Sequence, residues 1–357
     1  MKRDIWLDET DTALADAAQR YVSERYAFAT RQRLPAGLRR FNPDSWREMA
    51  TMGWLGVATG EEEGGLGLRV SSIALLAQAA GRFLINEPLH SSGFIAADVL
   101  MHHGDEQQRA QWLPAINDGT QRLACLFSGD SAGIRVKNGR LQGRQEVVLD
   151  ADIADALLVE AVEADGSTRW YRVDGQAPGL QRQPYPLLDG RGAATVVLEG
   201  CEALALNPGS SDHPPQLAAL ALAADAFGAM EAAMDMTLEY IKTRQQFGAA
   251  IGVHQVIQHR AVDMLMRLSE SRAVLAQAAQ TLQSQPQAAA RDVHAAKAFI
   301  GQQSRLLVQE AVQLHGGIGI TDEYALSHYL RRVIVDDQLL GGYEQHLRRF
   351  AASPSTR

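Results

Sequence analysis

The chain has 357 residues, with 34 Lys and Arg against 42 Asp and Glu, and a formal net charge of -8. Its hydrophobic share of 46% and charged share of 21% are typical of a globular protein and exclude a disordered or collagen-like chain. An acidic chain without a block rich in Lys and Arg is a poor match for nucleic acid. The length predicts two or three domains or one large composite fold.

The cysteines and the N-terminus bear on the cellular compartment. Cys125 and Cys201 are too few for a disulfide framework, which favours a reducing compartment. The N-terminal MKRDIWLDETD has no apolar stretch behind its basic start, so we expect no secretory signal. No apolar run approaches the roughly 18 residues that a spanning helix needs. We therefore expect a soluble, cytoplasmic protein without a membrane partner.

The first zone, residues 1–120, is predicted to be a helical domain. Ser45 and Glu48 have the spacing of a capping box, which predicts a helix over 46–52. Asp105 is a predicted N-cap for a later helix. This cap predicts a helix over 106–116. Apolar residues at helical spacing predict two further helices, over 70–83 and 91–102.

The second zone, residues 121–206, has the pattern of a β domain. Short β-rich runs are separated by turn signals such as Asn138-Gly139. This pattern predicts a small antiparallel barrel or sandwich. The predicted strands are 123–128, 146–149, 156–162, 170–173 and 193–198.

The third zone, residues 207–357, returns to helical periodicity. Apolar residues recur at spacings of three and four over long stretches, one of them running from Leu217 to Ile241. Such stripes predict a four-helix bundle with antiparallel neighbours. The fold class is therefore mostly α with a β insert.

A helix bundle raises the question of a di-iron centre, which needs two Glu-x-x-His pairs on facing helices. The chain has one such pair, Glu87 and His90, and Pro88 between them breaks a helix. Its ten histidines are scattered without metal-ligand spacing. The sequence therefore predicts no metal site.

Two glycine-containing segments are candidates for binding a phosphate group. Arg244, Gln246 and Phe247 surround a glycine turn, and guanidinium and amide donors suit a pyrophosphate, although a surface salt bridge also explains Arg244. The second segment, 316–319, is Gly-Gly-Ile-Gly. It follows a helical stripe rather than a strand, so it is either a helix stop or part of a site, but not a dinucleotide fingerprint.

Four segments together resemble the acyl-CoA dehydrogenase family, over about residues 10–351. They are MGWLGVATGEEEGGLGL (52–68), LQGRQEVVLDADIADALLVEA (141–161), YIKTRQQFGAAIGVHQVIQHRAVDM (240–264) and AVQLHGGIGITDEYALSHYLRRV (311–333). Within the family the chain is similar to the small subunit of pimeloyl-CoA dehydrogenase. It is also similar to the heteromeric acyl-CoA dehydrogenases of steroid side-chain degradation.

The resemblance implies an N-terminal helical domain, a middle barrel and a C-terminal bundle that binds FAD and forms oligomers. It implies an acyl-CoA substrate, from which a base removes the α-proton while hydride leaves the β-carbon for FAD. The product is a 2-enoyl-CoA, and an electron-transfer flavoprotein accepts the electrons.

For the ADP half of FAD, the resemblance carries over residue by residue. In the family these positions act across a subunit interface, on the neighbour's cofactor. The matching residues are Arg244, Gln246, Phe247, Gln255, Gln313, Gly316 and Gly317.

The flavin-ring half departs from the family pattern. The loop that usually meets the ring is shortened, and Ser128 is its only remnant. The next strand usually carries Trp-Ile-Thr against the ring, whereas this chain has Val-Val-Leu at 147–149.

The usual catalytic base is also missing. Its two family positions are Leu340 and Ala218, and neither side chain accepts a proton. Glu344 and Asp225 are weak alternatives, because the first also fits a solvated helix start and the second an ordinary buried carboxylate.

Three functions follow from this pattern. The first is the non-catalytic small subunit of a heteromeric enzyme, which completes a FAD site with a homologous large subunit. The second is a homotetrameric acyl-CoA dehydrogenase with a relocated base. The third is a flavin-free scaffold. The pattern favours the first, because it keeps the ADP-side residues and lacks both base positions.

Overall fold

The computed structural model describes residues 7–32, 41–129, 133–208, 212–246 and 248–353. These residues form two compact units. Unit 1 comprises residues up to 33, residues 74–85 and residues from 219 onward, and unit 2 comprises 34–73 and 86–218. The predicted boundaries 1–120, 121–206 and 207–357 stay a prediction.

The described residues form eleven α-helices and ten strands. The helices are α1 (Glu9–Arg25), α2 (Phe28–Gln32), α3 (Pro43–Thr51), α4 (Val70–Arg82), α5 (Ala97–His103), α6 (Glu106–Asn117), α7 (His213–Thr243), α8 (Gln255–Ser284), α9 (Ala290–His315), α10 (Ala325–Gln338) and α11 (Tyr343–Ala352). The strands are β1 (Leu123–Leu126), β2 (Arg135–Lys137), β3 (Arg140–Leu149), β4 (Ala156–Val162), β5 (Thr168–Asp174), β6 (Leu180–Pro186), β7 (Gly192–Cys201), β8 (Leu204–Ala205), β9 (Gln245–Gln246) and β10 (Ala249–Ala250).

Two helix N-caps were predicted in unit 2, of which the one at Asp105 is confirmed and the one at Ser45 is wrong. Asp105 caps α6, since its carboxylate accepts from the Gln108 amide at 2.7 Å. The capping box predicted at Ser45 is wrong, because α3 begins earlier, at Pro43. The Asn42 side chain accepts from the amides of Asp44 and Ser45 instead, as Asn before a proline at the first helical position favours.

The helix predicted over 91–102 is present in a modified form. Leu89–Ala96 winds as a π-helix, and only then does α5 begin. Every residue of the π-helical segment is buried. Pro88 immediately precedes this segment, where a proline is tolerated.

Eight strands of unit 2 form one sheet, in the order β6-β7-β3-β2-β4-β5-β8, with β1 beside β4. Most neighbours are antiparallel, but β1 and β2 each run parallel to β4. Among the described residues no pairing joins β6 to β8, so the sheet is open and the predicted barrel is not confirmed. One face of the sheet buries a continuous core that includes Leu126, Leu141, Leu157 and Val196.

The turn predicted at Asn138-Gly139 joins β2 to β3, with φ values of 54° and 71° at these two residues. Positive φ at both central positions is the signature of a tight hairpin turn, and it is why Asn-Gly is favoured there. The sequence missed β6, which contains Pro184 and Pro186. Since proline cannot donate to a ladder, it is confined to edge strands such as this one.

In unit 1, helices α7, α8, α9 and α10 form the predicted four-helix bundle, and α11 packs on α9. Helix α7 has an 18-residue window with a mean hydropathy of 1.5, which passes a length and composition test for a membrane span. The whole window is buried inside the protein, however, and a buried core helix passes the same test.

Helices α4 and α7 cross in direct backbone contact. A Cβ atom on Gly81 would lie 1.8 Å from the carbonyl oxygen of Asp225, and one on Gly228 would lie 1.9 Å from that of Gln78. Both positions therefore need glycine, because any side chain would push the two helices apart.

The C-terminal end of α4 is held by side chains of neighbouring helices. Arg332 is fully buried and donates to the Ile85 carbonyl at 2.8 Å and to the Asp225 carboxylate at 3.2 Å. Arg31 donates to the Leu84 carbonyl at 2.6 Å. These contacts satisfy carbonyls of the turn that follows α4, whose last residue is Arg82.

The buried pair predicts a large loss of stability when one partner is removed. We expect Asp225→Ala to cost about 3–5 kcal/mol of unfolding free energy, because the Arg332 charge stays buried without its carboxylate. Urea unfolding followed by circular dichroism measures this loss. The matched control is Asp44→Ala, which breaks an exposed pair with Arg47 and should cost about 1 kcal/mol or less. Equal losses in the two variants would contradict a structural role for the buried pair.

Candidate functional site

The first predicted nucleotide-binding segment is a short hairpin that follows α7. Arg244 comes directly after the helix, and its backbone is fixed at both ends, by the Tyr240 carbonyl at 2.8 Å and by the Ile251 amide at 2.9 Å. Gln246 lies in β9, which pairs with β10 across a turn at Gly248 (φ 82°). The side chains of Arg244 and Gln246 are exposed. Phe247, predicted to contact the nucleotide, lies outside the described residues.

The second predicted segment is the C-terminal end of α9. Gln313 is exposed in the last turn, and the helix ends at Gly316, whose φ is 66°. The reading of this glycine as a helix stop is therefore confirmed. Gly316 and Gly317 are exposed and begin a short 3-10 turn.

A ring stack places the two segments at the same end of the bundle. Tyr240 of α7 stacks on His315 of α9, with ring centroids 4.2 Å apart and an interplanar angle of 26°. The Tyr240 hydroxyl also donates to the His315 carbonyl at 3.2 Å. Burial lowers the pKa of His315, which favours the neutral ring in this stack. The stack is four residues from Arg244 and two from Gln313 along the chain, so the two segments lie side by side.

The surface of these two segments has room for an anionic ligand. A Cβ atom built at Gly248, Gly316 or Gly317 meets nothing within 4 Å in the described part of the chain, so their backbones are open to close approach. Gln255, also exposed, is the first residue of α8, and a helix N-terminus favours negative charge. One cation, several amide donors and a helix N-terminus fit a pyrophosphate.

Ser128, the predicted remnant of the flavin-ring loop, is already engaged within the protein. Its amide and its hydroxyl both donate to the same oxygen of Glu160, at 2.9 and 2.8 Å. A carboxylate therefore occupies the two donors that a flavin ring would use. The segment 130–132 of this loop lies outside the described residues.

The strand segment that replaces Trp-Ile-Thr is irregular. Val147 lies in a bulge of β3 at φ 54°, a conformation that is strained for a β-branched residue. Its side chain is 45% exposed, and its amide donates to the Tyr185 hydroxyl at 2.9 Å. Val148 points instead into the sheet core. Neither side chain can stack on a flavin ring or donate a hydrogen bond to it.

The two usual base positions carry no acid. Ala218 is fully buried in α7, and Leu340 lies between α10 and α11 at φ 59°. The Leu340 turn is held by Lys297, which donates to the carbonyls of Asp336, Asp337 and Gly341 at 2.7, 2.8 and 3.2 Å. Burial lowers the pKa of Lys297 to about 8.

The two alternative acids differ in their surroundings. Asp225 is fully buried against Arg332, where it holds helices together. Glu344 is exposed in the first turn of α11 and accepts from the Tyr343 hydroxyl at 3.2 Å. Neither environment is that of a carboxylate poised in a dry pocket.

The fold also assembles a cluster that the sequence did not predict. Asp98 and His102 are one turn apart on α5, and His213 is the first residue of α7. Both imidazoles contact the Asp98 carboxylate. The four-residue spacing on one helix was the only sequence signal, because the third member lies 115 residues from Asp98.

Family comparisons agree with this architecture. The model of the acyl-CoA dehydrogenase N-terminal domain matches residues 8–120, and that of the acyl-CoA dehydrogenase C-terminal domain matches residues 216–353. The acyl-CoA dehydrogenase IpdE2 of Mycobacterium tuberculosis is 31% identical over 315 residues, which are 87% of this chain and 86% of that protein.

Solved structures give the same result. A variant of the Tcur3481-Tcur3483 steroid ACAD is 28% identical, with a TM-score of 0.90, and the match covers 96% of this chain and 97% of that one. The ChsE4-ChsE5 complex from Mycobacterium tuberculosis is 25% identical, with a TM-score of 0.89 and coverage of 98% and 99%. Matches of both family domains and of relatives along nearly the full length show that this chain belongs to the acyl-CoA dehydrogenase family.

Proposed function

We propose that this chain is the non-catalytic small subunit of a heteromeric acyl-CoA dehydrogenase. In this role it contributes the ADP-binding half of a FAD site, and a homologous large subunit contributes the flavin-ring pocket and the base. The observation that carries the proposal is the split between the two halves. The ADP-side residues that the structure describes are all exposed, whereas the two base positions are an alanine and a leucine.

The exposure of the ADP-side residues supports a role towards a neighbouring subunit. Arg244, Gln246, Gln255 and Gln313 all present their side chains to the outside of this chain. A guanidinium neutralises phosphate charge, and amide groups donate to phosphate or ribose oxygens. The open backbones at Gly316 and Gly317 let a phosphate come within hydrogen-bonding distance.

The state of the flavin-ring half supports the same division. Glu160 accepts from both donors of Ser128, so these donors are already engaged and do not serve a flavin ring. At Val147 and Val148 the chain offers no aromatic ring to stack on flavin and no hydroxyl to orient it. A large subunit with the usual loop and strand would supply these contacts.

Relatives provide further support. Two structures that match nearly the whole chain carry the names of two proteins each, Tcur3481-Tcur3483 and ChsE4-ChsE5. The first is described as a steroid ACAD, which favours a bulky acyl-CoA as the substrate class of the complex.

In the complex, bound FAD supplies the acceptor for the hydride that leaves the β-carbon of the acyl-CoA. The contribution of this chain is to hold the nucleotide and to orient it. The α-proton goes to a carboxylate of the large subunit, the product is a 2-enoyl-CoA, and an electron-transfer flavoprotein takes up the electrons.

The remaining alternatives rest on fewer observations. A homotetramer with a relocated base would have to use Glu344, since Asp225 is committed to Arg332. A flavin-free scaffold does not explain why Arg244, Gln246 and Gln313 are all retained and exposed.

The proposal predicts that FAD binding needs both subunits. The chain purified alone should be colourless, and the chain co-expressed with its large subunit should show flavin absorption near one FAD per pair. The test is a visible absorption spectrum of each preparation, together with an acyl-CoA dehydrogenation assay. A yellow, active chain on its own would favour the homotetramer, and a colourless complex would favour the scaffold.

Arg244 should be needed for the cofactor rather than for folding. In the complex, Arg244→Ala should weaken FAD binding about 10- to 100-fold, because a charge-assisted hydrogen bond to phosphate is worth roughly 1.5–3 kcal/mol. FAD released on dilution, followed by flavin fluorescence, measures this change. Arg47→Ala, which removes another exposed arginine, is the matched control and should leave FAD binding unchanged. Equal FAD occupancy and turnover in the Arg244 variant and the control would overturn the role of Arg244.

A further inference from the structure

Three side chains of unit 2 meet where two helices approach each other. Asp98 and His102 lie on α5, and His213 begins α7. One nitrogen from each imidazole and one carboxylate oxygen lie within 4.8 Å of one another. Asp98 and His213 are 115 residues apart in the chain, so the tertiary fold brings them together.

The contacts within the cluster are short and direct. The distance from His213 Nδ1 to Asp98 Oδ2 is 2.9 Å, and that from His102 Nδ1 to Asp98 Oδ1 is 3.3 Å. The two imidazole rings are stacked, with centroids 4.5 Å apart and an interplanar angle of 21°. His102 Nδ1 also lies 2.9 Å from the Asp98 backbone carbonyl, which fixes the orientation of the ring.

The three side chains of the cluster differ in how far they are exposed to solvent. The side chains of Asp98 and His213 are 7% and 14% exposed, whereas that of His102 is 35% exposed. The more exposed edge at His102 gives access to solvent.

We propose that Asp98, His102 and His213 form a binding site for a divalent metal ion of the zinc class. Two imidazole nitrogens and one carboxylate oxygen are a typical three-residue ligand set for Zn²⁺, and water at the open edge completes four-coordination. Ligand atoms around tetrahedral zinc are separated by roughly 3.3 Å, given bonds of about 2.0–2.1 Å. The three candidate ligand atoms lie within 4.8 Å of one another, and metal binding would draw them closer together.

The role that follows is structural. A metal held by these three residues ties the last turn of α5 to the first residue of α7. None of the predicted FAD-binding residues belongs to this site, so its occupancy affects the stability of unit 2.

The experiment measures metal binding to the full chain, prepared without a polyhistidine tag and treated with EDTA. Titration with Zn²⁺ in a calorimeter should give one site per chain with a micromolar or tighter dissociation constant. His102→Asn and His213→Asn should each weaken this site at least tenfold, because each removes one of three protein ligands. His259→Asn, on the exposed part of α8, is the matched control and should bind like the wild type.

Two further measurements keep the test independent of variant folding. Co²⁺ added to the wild-type chain should give visible d–d absorption of the intensity that a four-coordinate site produces. Saturating Zn²⁺ should raise the thermal midpoint of the wild type and of the His259 variant, but not those of the two cluster variants. No saturable Zn²⁺ site in the wild type, or equal affinity in all three variants, would overturn the proposal.

Discussion

Several helix ends in unit 1 share one physical requirement, that the carbonyl groups at or just after the helix C-terminus find donors. Cationic side chains from neighbouring helices meet it. Arg332 donates to the Ile85 carbonyl just after α4. Lys297 donates to three carbonyls at or just after the end of α10, and Arg291 donates to two at or just after the end of α11. The negative end of each helix dipole favours these charges, so one type of contact satisfies the backbone and fixes how the helices pack.

This requirement explains a turn that would otherwise suggest catalysis. Leu340 occupies a family position of the base and has a positive φ, which is unusual for leucine. The three carbonyls bound by Lys297 and the contact of the His346 ring with the Leu340 carbonyl at 3.1 Å maintain this backbone. The turn is therefore preserved by packing even though its side chain carries no acid.

The sequence predicted the elements well where periodicity is local. It predicted α4, α6, β4 and the long bundle helices. It missed the edge strand β6, because the prolines in this segment do not fit the usual pattern of a strand. The predicted nucleotide residues flank the Tyr240–His315 stack, although the stack itself was not predicted. The Ser128–Glu160 contact and the Asp98 cluster were also missed, because their members lie 32 and up to 115 residues apart. Contacts of this kind depend on strand pairing and helix crossing, which residue spacing does not encode.

The discontinuity of unit 1 has a consequence for the order in which the chain folds during synthesis. Its early described residues, 7–32 and 74–85, belong to the same unit as the described residues between 219 and 353, and the Arg332–Ile85 hydrogen bond closes a loop of 247 residues. Unit 2 lies between these parts and has emerged from the ribosome before the bundle is complete. Helices α1, α2 and α4 therefore expose apolar surface until the C-terminal helices have been synthesised. Such long-range closure slows folding, and it makes the N-terminal helices the segment that most needs protection from aggregation.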